Sequence, residues 1–250
     1  MPGRLIILAG PSCVGKSPLD RALAKFFPEI KKSLHSLILY NSRNPRPGEK
    51  DGVDYHFRTR AQIEEFRKNN RFAVMEVRGD LQALDLNDLS RTLEEGDVFF
   101  EGNPFIGYLL LTHEQLKNIP KLSVFMSPVS RDELLLFNHS KSNVSPPDLI
   151  TDIMRRKLIR RTHKQKSLIA LPDYENIEKR AASTYQELVL AHHFDFVLPN
   201  HDGEDSDHWE TFYFPIGEAR KSLLSFVDLV EGRTPMQAEK WEPGLVSGDN

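Results

Sequence analysis

Gly10, Gly15, Lys16 and Ser17 stand at the spacing G-x-x-x-x-G-K-S inside "ILAGPSCVGKSPLD", behind an apolar run and ahead of a helical pattern. That order suits the capture of phosphate. Successive backbone N–H groups of such a loop turn inward as a nest for anionic oxygens, with the positive end of the next helix behind them. Gly10, Ser12, Cys13, Val14 and Gly15 supply the main chain of the cradle, and the glycines let it approach phosphate oxygens closely. The Lys16 ammonium then reaches the β- and γ-phosphates of a nucleoside triphosphate, and the Ser17 hydroxyl is a ligand for Mg2+. A strand-to-helix turn with a chance glycine pair is the competing reading, and the strand, loop and helix in sequence weigh against it. Pro18 falls in the first helical turn, where N–H groups lack intrahelical partners, so it does not interrupt the helix. Cys13 is expected to serve through its backbone rather than as a redox centre.

The elements that position this loop alternate. "RLIILAG", "SLHSLILY", "FAVMEV", "DVFFEG", "KLSVFMSP" and "FDFVLPN" read as strands. Between and after them, "KSPLDRALAKFFPEI", "RAQIEEFRKNN", "LNDLSRTLEEG", "DLITDIMRRKLIRRTHKQKS", "DYENIEKRAASTYQELVLAHH" and "IGEARKSLLSFVDLVEG" carry helical periodicity. The alternation predicts an α/β fold in three layers, α/β/α, with a mostly parallel sheet covered on both faces. "LFNHSKSNVSPP" reads as loop, "EDSDHWE" as an acidic surface loop, and the polar stretch after Gly232 as a poorly ordered tail.

The 250 residues fit one large domain. With 33 basic and 36 acidic residues and a net charge of −3, the chain gives no reason to expect a nucleic acid or an anionic membrane as partner. The single cysteine rules out an internal disulfide framework. The apolar run Leu5 to Ala9 is too short for a signal core, and no stretch approaches the ~20 apolar residues of a membrane span. A cytoplasmic protein with small nucleotide partners is expected, its oligomeric state unspecified.

A second stretch narrows the chemistry. "SRNPRPGEKDGVDYHF", with Ser42, Arg43, Arg46, Pro47, Gly48, Glu49, Gly52, Asp54, Tyr55 and Phe57, closely resembles the segment that guanylate kinases place after their second strand. The resemblance implies that Arg43 and Arg46 grip the phosphate of GMP and that Tyr55 hydrogen-bonds it. Guanidinium forks and a phenol are suited to that task, since the forks bind phosphate oxygens in pairs. "ENIEKRAASTYQELVLAHHFDFVLPNHD" is similar to the family's phosphate-facing helix, last strand and adenine-side turn, which implies roles for Arg180 and Asn200. "MRRKLIRRTHK" resembles the arginine-bearing lid, with Arg155, Arg156, Arg160 and Arg161 as candidates; Arg156 and Arg160, at i and i+4, share a helical face and are expected to converge on one anion.

The resemblance implies ATP as donor, Mg2+ as cofactor and a nucleoside monophosphate, GMP, as acceptor. Lys16, Arg43, Arg156, Arg160 and Arg180 are the expected catalytic set. It also implies a core over about 1–39, 97–130 and 177–232, a monophosphate-binding subdomain over about 40–96 and a helical lid over about 131–176, leaving 233–250 as tail.

The chain departs from the family where guanine is read. Guanylate kinases carry a glutamate, then a glycine-asparagine-tyrosine-tyrosine-glycine run ending in Ser or Thr; "FAVMEVRGDLQALD" places Ala73, Gln82 and Leu84 at the glutamate, tyrosine and hydroxyl positions. Guanine presents N–H donors, so an acceptor is wanted, and Glu76 and Asp80 are the nearby carboxylates. "VFFEGNPF" stands where the family has an acidic pair, leaving Glu101 as the carboxylate toward substrate and Mg2+. Tyr40 replaces a small hydroxyl residue, and the approach to the lid is lengthened. A kinase with another phosphorylated acceptor and a non-catalytic binding module are the rival expectations.

Overall fold

The computed structural model describes residues 3–46, 48–139 and 145–247. Pro47 of the arginine-rich segment, residues 140–144 of the lid approach and residues 248–250 of the tail lie outside that description.

Strand β1 (Leu5–Ala9) is fully buried: Leu5, Ile7 and Ala9 meet one apolar layer while Ile6 and Leu8 meet the other. This two-sided burial is what a continuous apolar run in a parallel sheet requires. Glycine 15 ends the loop that follows, and helix α1 (Lys16–Phe26) begins at the motif lysine, with Pro18 in its first turn. Next come α2 (Pro28–Lys32), β2 (Leu34–Ser36), β3 (Tyr40–Asn41) and β4 (His56–Phe57). Helix α3 (Arg60–Phe66) opens on a Thr59–Gln62 capping box, and a hairpin of β5 (Phe72–Val77) and β6 (Asp80–Asp85) follows it. The Asp85 carboxylate caps α4 (Leu86–Glu95), which leads to β7 (Asp97–Gly102). Asn103 caps α5 (Pro104–Thr112), then β8 (Lys121–Ser127) and α6 (Arg131–His139) follow. The chain closes with α7 (Pro146–Gln165), α8 (Leu171–Val189), β9 (Phe196–Pro199) and α9 (Gly217–Val230).

Five strands form a sheet in the order β2-β7-β1-β8-β9 with every pairing parallel. One face carries α4, α5 and the end of α8; the other carries α1, α9 and Met154 and Leu158 of α7. This is the three-layer architecture expected from the alternation. A second, mixed sheet runs β4-β3-β6-β5.

Four expectations need correction. "SLHSLILY" is two strands, because the chain leaves the parallel sheet after Ser36 and enters the mixed sheet at Tyr40. The start of "LFNHSKSNVSPP" continues helix α6, where Leu134 is buried in the core. "EDSDHWE" is not a fully solvated loop: the Asp205 side chain and Trp209 are buried, the first against basic residues of α7. The stretch 233–247 is packed rather than loose. Trp241, Leu245 and Val246 are buried in the core, and Glu239 exchanges two 2.8 Å backbone hydrogen bonds with Val197 at the open edge of β9. Few apolar residues suffice when they arrive at a sheet edge that needs covering.

Candidate functional site

The phosphate loop runs from Gly10 to Ser17 between β1 and α1. Helix α1 has no side-chain cap and no acidic residue in its first turn, so its leading N–H groups stay free for an anion. The Lys16 ammonium folds back onto its own loop, donating to the carbonyl oxygens of Gly10 and Pro11, both at 2.8 Å. Burial holds this ammonium below its usual range, opposed by the carboxylates of Glu101, Glu204 and Glu187. The Ser17 hydroxyl is 3.5 Å from Glu101 Oε1, so two hard oxygen donors meet at the end of β7. Burial pushes the Glu101 carboxyl up, and Lys16 pulls it back down.

Gly15 has φ +102°, and a Cβ there would stand 2.5 Å from the Asn200 amide nitrogen. The requirement comes from behind the loop as well as from the ligand side. Asn200 is fully buried and donates to Val14 O at 2.7 Å and Asp202 O at 2.8 Å, while its Oδ1 accepts from the Asp202 N–H. Both N–H groups of its amide brace the loop from behind, so Asn200 supports the cradle. The following Gly203 presses on the loop so closely that a Cβ would meet Cys13 O at 2.0 Å.

Cys13 is buried beneath that contact, and burial together with Glu204 pushes its thiol up to about 12. A thiol that stays protonated is a poor nucleophile. Native protein is therefore expected to resist iodoacetamide at pH 8 while urea-unfolded protein is labelled, as peptide mass spectrometry would read. Stoichiometric native labelling would contradict this burial.

Around the mouth of the loop stand guanidinium groups from separate elements. Arg180 of α8 is buried and has no carboxylate partner among the described residues. Burial and the neighbouring charges of Arg46, Arg161 and Arg78 push it down to about 9. Mutual repulsion among buried cations is relieved by an anion set between them. Arg46 likewise has no carboxylate partner for its guanidinium among the described residues; its main-chain N–H donates to Glu49 Oε2 at 2.7 Å. Arg43 is engaged differently. Its two terminal nitrogens hold the Glu49 carboxylate at 2.6 and 2.7 Å, and its guanidinium lies 5.1 Å from the Tyr55 ring centre. Tyr55 sits among Arg43, Glu101, Arg46 and Glu49, with burial raising its phenol. The arginine-rich segment thus sets one free guanidinium and one carboxylate-held guanidinium beside a phenol.

The lid turns a different face to the cleft from the one expected. Arg156 is exposed and pairs with Asp152 on its own helix, and Arg160 pairs with Asp205 at 2.8 Å from a largely exposed position. Helix α7 buries Ile150, Met154, Leu158 and Thr162, and Lys157 and Arg161 flank that stripe. Arg161 donates to Glu204 at 2.9 Å, leaving its buried Nε without a partner among the described residues, and Lys157 donates to His201 O at 2.6 Å and pairs with Asp205 at 3.0 Å. Lys157 and Arg160 share the Asp205 carboxylate, while Arg161 meets Glu204. Glu76 is also outside the site. It lies on the α3 face of the mixed sheet, exposed, and pairs with Arg60 at 2.9 Å. Gln82 is buried and accepts from Asn103 Nδ2 at 3.3 Å.

Sequence reasoning missed Arg78, Glu187 and Glu204. Arg78 sits in the β5–β6 turn, and the signal for it was "RG" between two alternating runs. Glu204 was read only as surface charge.

Among the described residues no helix is long and apolar enough to cross a membrane. The guanylate kinase family profile matches residues 2–83. A guanylate kinase of Onion yellows phytoplasma (strain OY-M) is 30% identical over 200 residues, spanning 79% of this chain and 78% of its own. One from Streptococcus pneumoniae (strain ATCC BAA-255 / R6) is 30% identical over 200 residues, spanning 79% of each chain. Among solved structures, guanylate kinase from Anaplasma phagocytophilum superposes with a TM-score of 0.50 at 15% identity, covering 95% of this chain and 90% of that one, a likeness of fold. With a family profile that spans both the phosphate loop and the arginine-rich segment, and relatives alike over most of both chains, this nucleoside monophosphate kinase belongs to the guanylate kinase family.

Proposed function

We propose that the protein transfers the γ-phosphoryl group of ATP to GMP with Mg2+ as cofactor. The observation that carries this reading is the pair of guanidinium groups without a carboxylate partner among the described residues, Arg46 and Arg180, clustered with Arg78, which reaches Ser12 of the phosphate loop, while the loop's lysine bonds its own carbonyls. Such groups stabilise charge on a migrating phosphoryl, and phosphoryl transfer asks the protein for little else.

In this mechanism Lys16 leaves the Gly10 and Pro11 carbonyls to bind the donor's terminal phosphates, and the uncapped N–H groups of α1 hold the phosphates in line. Arg46 and Tyr55 bind the acceptor phosphate, while Arg43, fixed by Glu49, keeps that loop in shape. Arg180 and Arg161 balance the charge between the two ligands. The Ser17–Glu101 pair fits Mg2+, a hard cation that prefers oxygen ligands and one or two carboxylates. When bound there it neutralises negative charge on the donor phosphates. No general base is required, because an acceptor phosphate with a second pKa of about 6 is already ionised at neutral pH. The core, the mixed-sheet subdomain and the lid would carry donor, acceptor and closure respectively.

Ala73, Gln82 and Leu84 favour a second reading, a kinase for another phosphorylated acceptor, because the buried Gln82 offers an amide where the family has a phenol. Coupled ADP-release assays over a panel of nucleoside monophosphates separate the two. GMP is expected to turn over, and Arg46→Ala to raise its KM by about tenfold or more, the loss of one charge-assisted contact. Turnover of a different monophosphate alone would replace GMP, and silence with every acceptor would sink the kinase reading.

A further inference from the structure

The β5–β6 turn sends a guanidinium across the cleft to the phosphate loop. Arg78 has φ +54° and Gly79 φ +89°, the two positive angles of a tight hairpin turn, an uncommon conformation for a residue as long as arginine. Arg78 Nη1 donates to Ser12 Oγ at 3.1 Å, and Nε lies 3.0 Å from both Ser183 Oγ and Glu187 Oε1. Nη2 donates to Glu187 as well. One side chain therefore joins the mixed-sheet hairpin, the phosphate loop and helix α8.

Its partner is unusual. The Glu187 carboxylate is fully buried, and its Oε2 has no hydrogen-bond partner among the described residues. A half-satisfied buried carboxylate is costly, so a chain that keeps one needs it for the group it holds. A guanidinium has five N–H donors in a fixed fork. The contacts to Ser12, Ser183 and Glu187 leave one hydrogen on each terminal nitrogen of Arg78 for another acceptor. Lys16 and Arg180, on either side of the transfer site, both feel its charge. It reaches the phosphate loop from the hairpin of the mixed sheet, the side on which the proposed function puts the acceptor.

We propose that Arg78 is a further phosphate-binding residue of the transfer site, delivered by the acceptor-side hairpin and held in place by Glu187 and Ser12. This rests on the phosphotransferase reading. In it, Glu187 competes with phosphate for the guanidinium and keeps it aimed when no ligand is present. Ser12 ties the hairpin to the loop, so approach of the mixed sheet and assembly of the charge cluster are one event.

The test uses the full chain and inorganic tripolyphosphate as probe, with affinity read by calorimetry at fixed ionic strength and kinetics with ATP and GMP beside it. Arg78→Met is expected to weaken tripolyphosphate by about tenfold, the loss of one charge-assisted contact, and to lower kcat more than it raises KM for ATP. Arg78→Lys should recover part of the affinity. Glu187→Gln keeps an acceptor for Arg78 but removes the competing charge, and is expected to tighten tripolyphosphate by roughly threefold or more. Unchanged affinity in Arg78→Met with only a lowered melting temperature would reduce Arg78 to a structural clasp and overturn the proposal. If Arg78→Met fails to fold, Glu187→Gln decides: equal or weaker binding overturns it. A wild-type protein that binds tripolyphosphate through Arg78 yet phosphorylates no monophosphate would refute the proposed function and leave this assignment standing. A wild-type protein that binds no tripolyphosphate refutes both.

Discussion

Lys16→Ala is expected to lower kcat by about 10³-fold, the scale on which removing a preorganised charge at a phosphoryl-transfer centre is felt. The resting position of the side chain says why. Its ammonium is buried, bonded to two carbonyls of the loop it must serve, and opposed most strongly by the carboxylate of Glu101 at the end of β7. A desolvated ammonium acts on phosphate charge with little screening, and a cavity or a water in its place restores none of that. Stability should change far less, because removing the ammonium also removes the cost of burying it and the two lost hydrogen bonds are to carbonyls that water can reach once the side chain is gone. The measurement is steady-state ADP release beside a thermal melt. A variant that melts like the wild type and turns over at the wild-type rate would remove Lys16 from the chemistry; one that fails to fold would instead be replaced by Lys16→Met, which keeps the stem.

Why was this lysine legible from sequence when the lid was not? The phosphate loop is local: its strand, glycines, lysine and helix follow one another within a few residues, so spacing alone encodes the geometry. Arg43, Arg46 and Tyr55 are likewise close in sequence, and the structure sets them side by side. In "RRKLIRR" basic residues fall on most helical faces, so composition cannot say which of them is turned inward. That is decided by the apolar stripe Ile150, Met154 and Leu158, which packs on the core and brings Lys157 and Arg161 with it. Read backwards, the i+4 spacing of that stripe held the answer. Asn200 shows a different limit. Its type suits a polar contact at the end of a strand, but only the fold reveals that Val14 and Asp202 consume its amide. Glu204 was unreadable for the same reason, since a surface-looking acidic run meets Arg161 only after α7 and the turn beyond β9 are brought together. Partner choice for a charged side chain is a tertiary property, whereas the loop's main-chain geometry is not.

The stretch beyond Gly232 carries the second large expectation. Trp241→Ala is expected to cost about 3–5 kcal/mol, the usual range for emptying a large buried aromatic site, and Leu245→Ala about 2–5 kcal/mol. Both side chains are buried in the core layer that includes Leu188, Ala191, Phe194 and Val197. The segment is also bonded through its backbone, by the Val197–Glu239 bridge and by Asn138 Nδ2 donating to Leu245 O at 2.8 Å, and through Arg131, which pairs with Glu242 at 2.5 Å. A chain ending at residue 232 loses all of these at once and bares the apolar face they cover. Against a total stability of about 5–15 kcal/mol for an ordinary domain, that truncation should leave little folded protein at 37 °C. None of these residues touches the phosphate loop or the arginine cluster, so the folded fraction of Trp241→Ala should keep kcat within about twofold, additivity being the rule for distant sites. Urea unfolding followed by tryptophan-independent circular dichroism, with activity measured at 15 °C where the variant remains folded, reads both quantities. A loss below about 1 kcal/mol, the scale of a surface substitution, would mean that the segment merely lies on the core rather than completing it.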